Sequence, residues 1–224
     1  MRATPFPSPN FGNRRESALP DIIVIHYTGM DSHDAAYARL CDPGSEVSAH
    51  YLIGMDGATT PLVAEQNRAW HAGEGSWGGV ADVNSRSIGI ELCNPGHGPF
   101  AEPQMAALGK VLEGVMSRWS IPAHRVIAHS DMAPRRKRDP GARFDWRRLA
   151  LMGLAVWPEI GDVRLPFAAA ATAFGYPAVP DEDLLDAFRL RFRPWARGPL
   201  DVVDAALAND LADRYRVDAT ATTA

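Results

Sequence analysis

The chain has 224 residues, 46% of them apolar and 22% charged, with a formal net charge of −4. These are the proportions of a soluble globular protein of one ordinary domain with room for a small second one, and the mild acidity points away from nucleic acid and anionic membranes as partners. The two cysteines, Cys41 and Cys93, are too few to staple a chain of this size and read as free thiols.

No run of roughly 18 apolar residues occurs, so no segment reads as a membrane span. The first stretch, MRATPFPSPNFGNRRES, has no apolar core of the kind a secretory leader needs. The expected location is therefore the cytoplasm, or the periplasm if a leader precedes this sequence. Residues 1–20 read as an extended arm, because Pro5, Pro7, Pro9 and Pro20 forbid helix.

Asp21 to Tyr27, DIIVIHY, opens the folded part. Its consecutive β-branched residues predict a strand buried on both faces, with His26 at its carboxyl end. A histidine there either faces a cleft or is a hydrogen-bonded core residue. Asp34 to Cys41 predicts a short helix, closed by Asp42-Pro43-Gly44. Glu46 to Gly54 and Ala58 to Val63 predict a hairpin about the turn signal Asp56-Gly57, and His50 within it reads as structural.

Asn67 to Gly79, NRAWHAGEGSWGG, is too rich in glycine for regular structure. Trp70 and Trp77 offer flat faces there, which either line a cleft for sugar or peptide or cap the core. Ser85 to Asn94 predicts a strand in which Ile88, Ile90 and Leu92 alternate with Gly89 and Glu91. Glu91 is then either a surface acid or, if its face lines a cleft, an acid whose raised pKa suits proton transfer.

Glu102 to Trp119 is the strongest helix, with Met105, Leu108, Leu112, Val115, Met116 and Trp119 on one face. Val126-Ile127-Ala128 is a short strand ending in His129. The basic stretch from His129 to Asp139 follows, and Pro134 with Asp139-Pro140-Gly141 marks it as a loop. Alone it reads more readily as a solvated basic loop with an incidental histidine than as a loop folding a histidine and a carboxylate onto one metal ion. Trp146 to Met152 closes this unit. The order of elements predicts an α/β fold with a central mixed β-sheet flanked by helices over residues 21–160.

Beyond Trp157-Pro158 the composition shifts to Ala, Leu and Arg, with no histidine. Phe167–Phe174, Asp181–Phe192 and Leu200–Tyr215 predict a small three-helix domain over 161–217, with no catalytic set in it. Residues 218–224 read as a disordered tail.

His26, His129 and Asp139 together supply two imidazoles and one carboxylate, and leave one position of a tetrahedral zinc open, as catalytic sites require. Glu91 can move a proton from water to a leaving amine, and Lys137 can sit beside the oxyanion of a tetrahedral intermediate. These parts imply metal-assisted hydrolysis of a carbonyl compound, most simply an amide. No HExxH occurs, so the site is not a helix-borne zincin.

Five motifs in order, IIVIHYTG, VSAHYLIGMDG, RAWHAG, SIGIELCN and HSDMAPRRKRDPG, resemble the zinc-dependent N-acetylmuramoyl-L-alanine amidases of the amidase-2 family, in its AmpD/AmiD branch. The resemblance covers roughly residues 15–155. It implies zinc ligands at His26, His129 and Asp139 and catalytic roles for Glu91 and Lys137. It also places Arg68, Trp70, His71 and Asn84 at the substrate cleft. The reaction implied is cleavage of the amide between MurNAc and L-Ala of the stem peptide, and the expected cytoplasmic location adds the expectation of 1,6-anhydroMurNAc peptides as substrate, in peptidoglycan recycling. The partner would be a muropeptide or peptidoglycan fragment, bound by a monomer without nucleic acid or membrane.

Two departures are visible. Where the phage and recognition-protein branches have a cysteine ligand, this chain has Asp139. Where the phage branch has a catalytic tyrosine, it has Ala49, which leaves proton transfer to Glu91. The stretch around Asp82 also lacks a basic residue that some relatives use on the peptide carboxylate. The tail, with FGYP and FRLRFRPW, resembles a peptidoglycan-binding domain over about 165–216. The competing functions are a non-catalytic muropeptide sensor and a zinc peptidase acting on stem peptides.

Overall fold

The computed structural model describes residues 6–217. In chain order the elements are β1 (Phe11–Asn13), β2 (Ile22–Tyr27), α1 (His33–Cys41), β3 (Tyr51–Ile53), β4 (Thr59–Pro61), β5 (Asn67–Ala69), α2 (Val83–Arg86) and β6 (Ser87–Leu92). Then come α3 (Glu102–Trp119), β7 (Val126–Ala128), α4 (His129–Met132), α5 (Trp146–Leu151), α6 (Phe167–Phe174), α7 (Asp181–Phe192) and α8 (Val202–Tyr215). The tail at 218–224 and the first five residues of the expected arm lie outside the described residues.

The main sheet runs β4-β3-β6-β2-β7, with β3, β6, β2 and β7 parallel and β4 antiparallel at one edge. The β-branched run places β2 in the interior of the sheet, with every residue from Ile22 to His26 buried. Strand alternation then sorts the side chains. Ile23 and Ile25, with Ile88, Ile90 and Leu92, face the core beneath α3 and α5. Ile22, Val24 and Ile127 face the opposite core.

That opposite core is where the C-terminal helices stand. Phe167, Phe174, Phe188, Phe192 and Leu211 form one apolar cluster with Ile22, Val24, Ile127 and Trp77. The three helices appear at the expected places, but they share the core of the sheet. They cover part of its second face, beside Ala72, Trp77, Val83 and Met132, while α1 packs Ala36 and Leu40 on Leu52. Trp77 belongs to this core: it is fully buried and packs edge-on against Phe174 and Tyr176, so of its two expected roles it has the capping one.

Several elements depart from expectation for tertiary reasons. β1 and β5 pair as a small antiparallel sheet, so the proline-rich arm and the start of the glycine-rich stretch each find a partner. Neither carries a strand pattern long enough to read alone. The arm is anchored by buried Arg14, which donates to the carbonyls of Glu65, Ser85 and Ser87. α4 begins at His129, where loop was expected, and Asp131 accepts the backbone N–H of Ala128 at its first turn.

Candidate metal centre and active site

Parallel strands deliver their carboxyl ends to one rim of the sheet, and the site forms there. Alternation puts His26 on the same face as Ile22 and Val24. On the neighbouring strand, Ser87, Gly89 and Glu91 pair in register with Ile22, Val24 and His26. His129 follows β7 and extends the face of Ile127 beside His26. The loop after α4 then folds back and brings in Asp139.

Three ligand atoms converge. His26 Nδ1 and His129 Nδ1 lie 2.9 Å apart, and each lies 3.0 Å from Asp139 Oδ2. All three residues are buried, and they are the one His/Cys/Asp/Glu group of this kind among the described residues. The donor set fits a metal. His129 Nε2 lies 2.8 Å from the Ala72 carbonyl, which can only accept, so the ring proton sits on Nε2 and Nδ1 presents a lone pair. His129 Nδ1 and Asp139 Oδ2 are then two acceptors facing each other, with His26 Nδ1 closing the triangle. One proton can serve one edge; a divalent cation serves all three. A tetrahedral zinc with bonds of about 2.0–2.1 Å spaces its ligand atoms roughly 3.3 Å apart, close to the edges seen here.

Burial, followed by the neighbouring His129, holds the His26 pKa down to about 4, so the ring is neutral at pH 7. Glu91 is the opposite case. Burial first, and then the negative charge of Asp139, push its carboxyl up to about 8. Its Oε2 is sealed from solvent and has no hydrogen-bond partner among the described residues. Such an acid is poised to gain or lose a proton to whatever enters the site.

These groups open into a cleft of about 460 Å³, lined by Trp70, Arg39, Lys137, Arg138 and Tyr27 as well as the metal-binding residues. Lys137 is close enough for its charge to lower the pKa of both His26 and Glu91. The other cations of the loop have protein partners of their own, although Arg136 and Arg138 also line the cleft. Arg136 donates to the carbonyls of Ala72 and Glu74, tying the loop to the glycine-rich stretch. Arg135 and Arg138 lie 3.6 and 3.7 Å from Asp183 and Asp186 on α7.

The four expected cleft residues divide. Trp70 lines the cleft. His71 forms part of its floor, but both ring nitrogens are engaged, at 3.0 Å from His26 Nε2 and 3.1 Å from Ser87 Oγ. Arg68 and Asn84 do not reach it. Arg68 is turned to Asp82 and Ser85, and Asn84 Oδ1 accepts the backbone N–H groups of His71 and Ala72. Asn84 thereby holds the backbone of His71 and Ala72, and Arg68 is spent on Asp82 and Ser85. Arg39, on α1, lines the cleft and was not anticipated. An exposed arginine on a short helix carries no signal of its own. His50 is structural as expected: its Nδ1 accepts the Gly89 N–H deep in the fold.

The sequence matches the family described as N-acetylmuramoyl-L-alanine amidase (Amidase_2) over residues 15–142. It is 35% identical to the N-acetylmuramoyl-L-alanine amidase AmiD of Escherichia coli, across 91% of this chain and 87% of that protein. It is 33% identical to the 1,6-anhydro-N-acetylmuramyl-L-alanine amidase AmpD of Enterobacter cloacae, across 65% of this chain and 87% of that one. The fold matches the complex of E. coli AmiD with anhydro-N-acetylmuramic acid-L-Ala-D-γ-Glu-L-Lys at a TM-score of 0.80, 33% identity and coverage of 92% and 94%. It also matches AmpDh3 of Pseudomonas aeruginosa in complex with an anhydromuramic pentapeptide, at 0.79, 30% identity and coverage of 93% and 95%.

Proposed function

The chain belongs to the N-acetylmuramoyl-L-alanine amidase family, and we infer that it hydrolyses the amide between 1,6-anhydroMurNAc and L-Ala of the stem peptide, in peptidoglycan recycling. The observation that carries the reading is the triangle of His26, His129 and Asp139 beside Glu91, whose Oε2 is sealed and has no partner among the described residues. Two imidazoles and one carboxylate favour zinc over the harder cations, which prefer all-oxygen sites. Zinc held there would polarise the scissile carbonyl and acidify water.

The protein's own groups do the rest. Glu91, as carboxylate, takes a proton from the attacking water, and then, as acid, gives it to the departing nitrogen of L-Ala. Its raised pKa makes both directions accessible near neutral pH. Lys137 places a positive charge beside the oxygen that becomes negative as the carbonyl carbon turns tetrahedral. Trp70 offers a face to the sugar or the peptide. Burial of the metal ligands keeps bulk water from competing.

The test is product mass. Zinc-loaded protein given 1,6-anhydroMurNAc-L-Ala-D-γ-Glu-L-Lys should release the intact tripeptide and free anhydro sugar. A shortened peptide still attached to sugar would identify a peptidase instead. Tight binding with no product would identify a sensor. The same assay on MurNAc-peptide reports whether the 1,6-anhydro ring matters.

Lys137→Met should lower kcat by about 10²-fold with a smaller change in KM, because the charge acts on the transition state more than on the neutral carbonyl. Equal losses in kcat and kcat/KM check this. A rise in KM alone would make Lys137 a substrate-binding residue.

A further inference from the structure

The column Ser87, Gly89, Glu91 on β6 has one member with a proton-transfer role and two without. Their neighbour is His71, whose ring lies flat on the strand at Gly89. A methyl group on Gly89 would stand 2.4 Å from His71 Cγ. His71 is thereby held between His26 on one side and Ser87 on the other.

The hydrogen bonds of this row can be assigned one after another. The Ser87 hydroxyl has a single proton, and the Val83 carbonyl, 2.6 Å away, can only accept it. Ser87 Oγ is therefore an acceptor towards His71 Nε2, 3.1 Å away, and the ring proton of His71 sits on Nε2. That leaves His71 Nδ1 as an acceptor. His26 Nε2, 3.0 Å from it, must donate. His26 then has its proton on Nε2 and a lone pair on Nδ1, the atom in the triangle with His129 and Asp139. His129 reaches the same state in one step, through the Ala72 carbonyl.

We propose that His71 and Ser87 are positioning residues: a relay from the Val83 carbonyl through Ser87 and His71 sets the tautomer of His26 and points its Nδ1 lone pair at the metal. A carbonyl or carboxylate beside His26 would do the same directly. Here the acceptor is an imidazole, which can donate or accept, so its direction has to be set from behind, and Ser87 sets it. Gly89 leaves the space in which the His71 ring can lie. The relay rests on the three-residue metal site described above.

Zinc affinity, measured by competition with a chromophoric chelator, tests it without reference to turnover. Ser87→Ala and His71→Leu should each bind zinc about 10–100-fold more weakly than wild type. His71→Gln, whose amide oxygen can accept from His26 while its N–H₂ donates to Ser87, should keep most of the affinity. Gly89→Ala should weaken binding by displacing the ring without removing any hydrogen-bonding group. Long-range ¹H–¹⁵N correlations in the zinc-loaded protein should place the His71 proton on Nε2, and Ser87→Ala should give a mixture of tautomers. Asp139→Ala provides the reference for a lost ligand. Undiminished zinc affinity in both Ser87→Ala and His71→Leu, or a wild-type His71 protonated on Nδ1, would overturn the relay and leave the metal site standing. Wild-type protein that bound no zinc would overturn both.

Discussion

Glu91→Gln should lower turnover by about 10³-fold while leaving the bound metal in place. The amide is nearly isosteric with the acid and Glu91 is not a ligand, so the triangle of His26, His129 and Asp139 is untouched. What is lost is the group that takes the proton of the attacking water and returns it to the leaving nitrogen, a function worth 10²–10⁴ in rate. Metal content and kcat measured on the same preparation check this. Loss of metal along with activity would make Glu91 a ligand or its support.

The same substitution has a stability signature in the metal-free protein. Burial and Asp139 raise the folded pKa of Glu91 from 4.5 to about 8. Below pH 4.5 the acid is protonated in both folded and unfolded states and contributes no difference. Between pH 4.5 and 8 the unfolded chain releases the proton and the folded one keeps it, so stability falls as pH rises. Above pH 8 the full loss is present, on the order of 5 kcal/mol. Glutamine cannot ionise. Glu91→Gln should therefore match wild type at pH 4 and exceed it increasingly towards pH 9, as read from thermal melts. A constant offset across that range would contradict the buried acid.

The second large effect concerns the C-terminal helices. Arg191 on α7 is fully buried, donates to Asp131 and to the Val126 carbonyl, and lies over the Trp146 ring at 4.3 Å. Asp131 is equally buried and also accepts from the Tyr176 hydroxyl at 2.6 Å and the Ala128 N–H at 2.8 Å. It stands two residues from the ligand His129, so this pair joins the helices to the first turn beneath the metal site. Arg191→Met would leave Asp131 buried with its charge uncompensated. Breaking a buried pair in this way costs about 3–5 kcal/mol, or roughly 10 °C in Tm for a chain of this size.

Adding Asp131→Asn should recover part of the loss, since the amide oxygen is neutral and still accepts from Ala128 and Tyr176. A Tm within about 1 °C of wild type for Arg191→Met would mean that the helices merely lean on the sheet. A role in holding peptidoglycan would be additional to this structural one.

Much of this architecture is legible in local pattern. The β-branched run of β2 marks a buried strand, because only a strand covered on both faces tolerates four such residues in a row. The apolar stripe of α3 marks its span from Glu102 to Trp119. Strand-end histidines and the loop carboxylate point to a metal, because their chemistry is specific even where their distances are unknown. Other features carry no local signal. β1 and β5 are three residues each and exist through pairing. Arg68 and Asn84 sit in cleft-like motifs, yet their partners turn them away from it. Ser87 shows only as a polar residue in phase with Glu91.

The sequence by itself determined the order of the main strands and helices, the residues that could hold a metal or move a proton, and the family to which the chain belongs. Periodicity and side-chain chemistry act over a few residues and can be read in one dimension. The tertiary structure decided the rest. It set the 2.9–3.0 Å triangle, the sealed Oε2 of Glu91, the row of acceptors behind His26 and the use of the C-terminal helices as part of the sheet's second cover. Each of these depends on strand register and on contacts between residues far apart in the chain, and no local pattern specifies them.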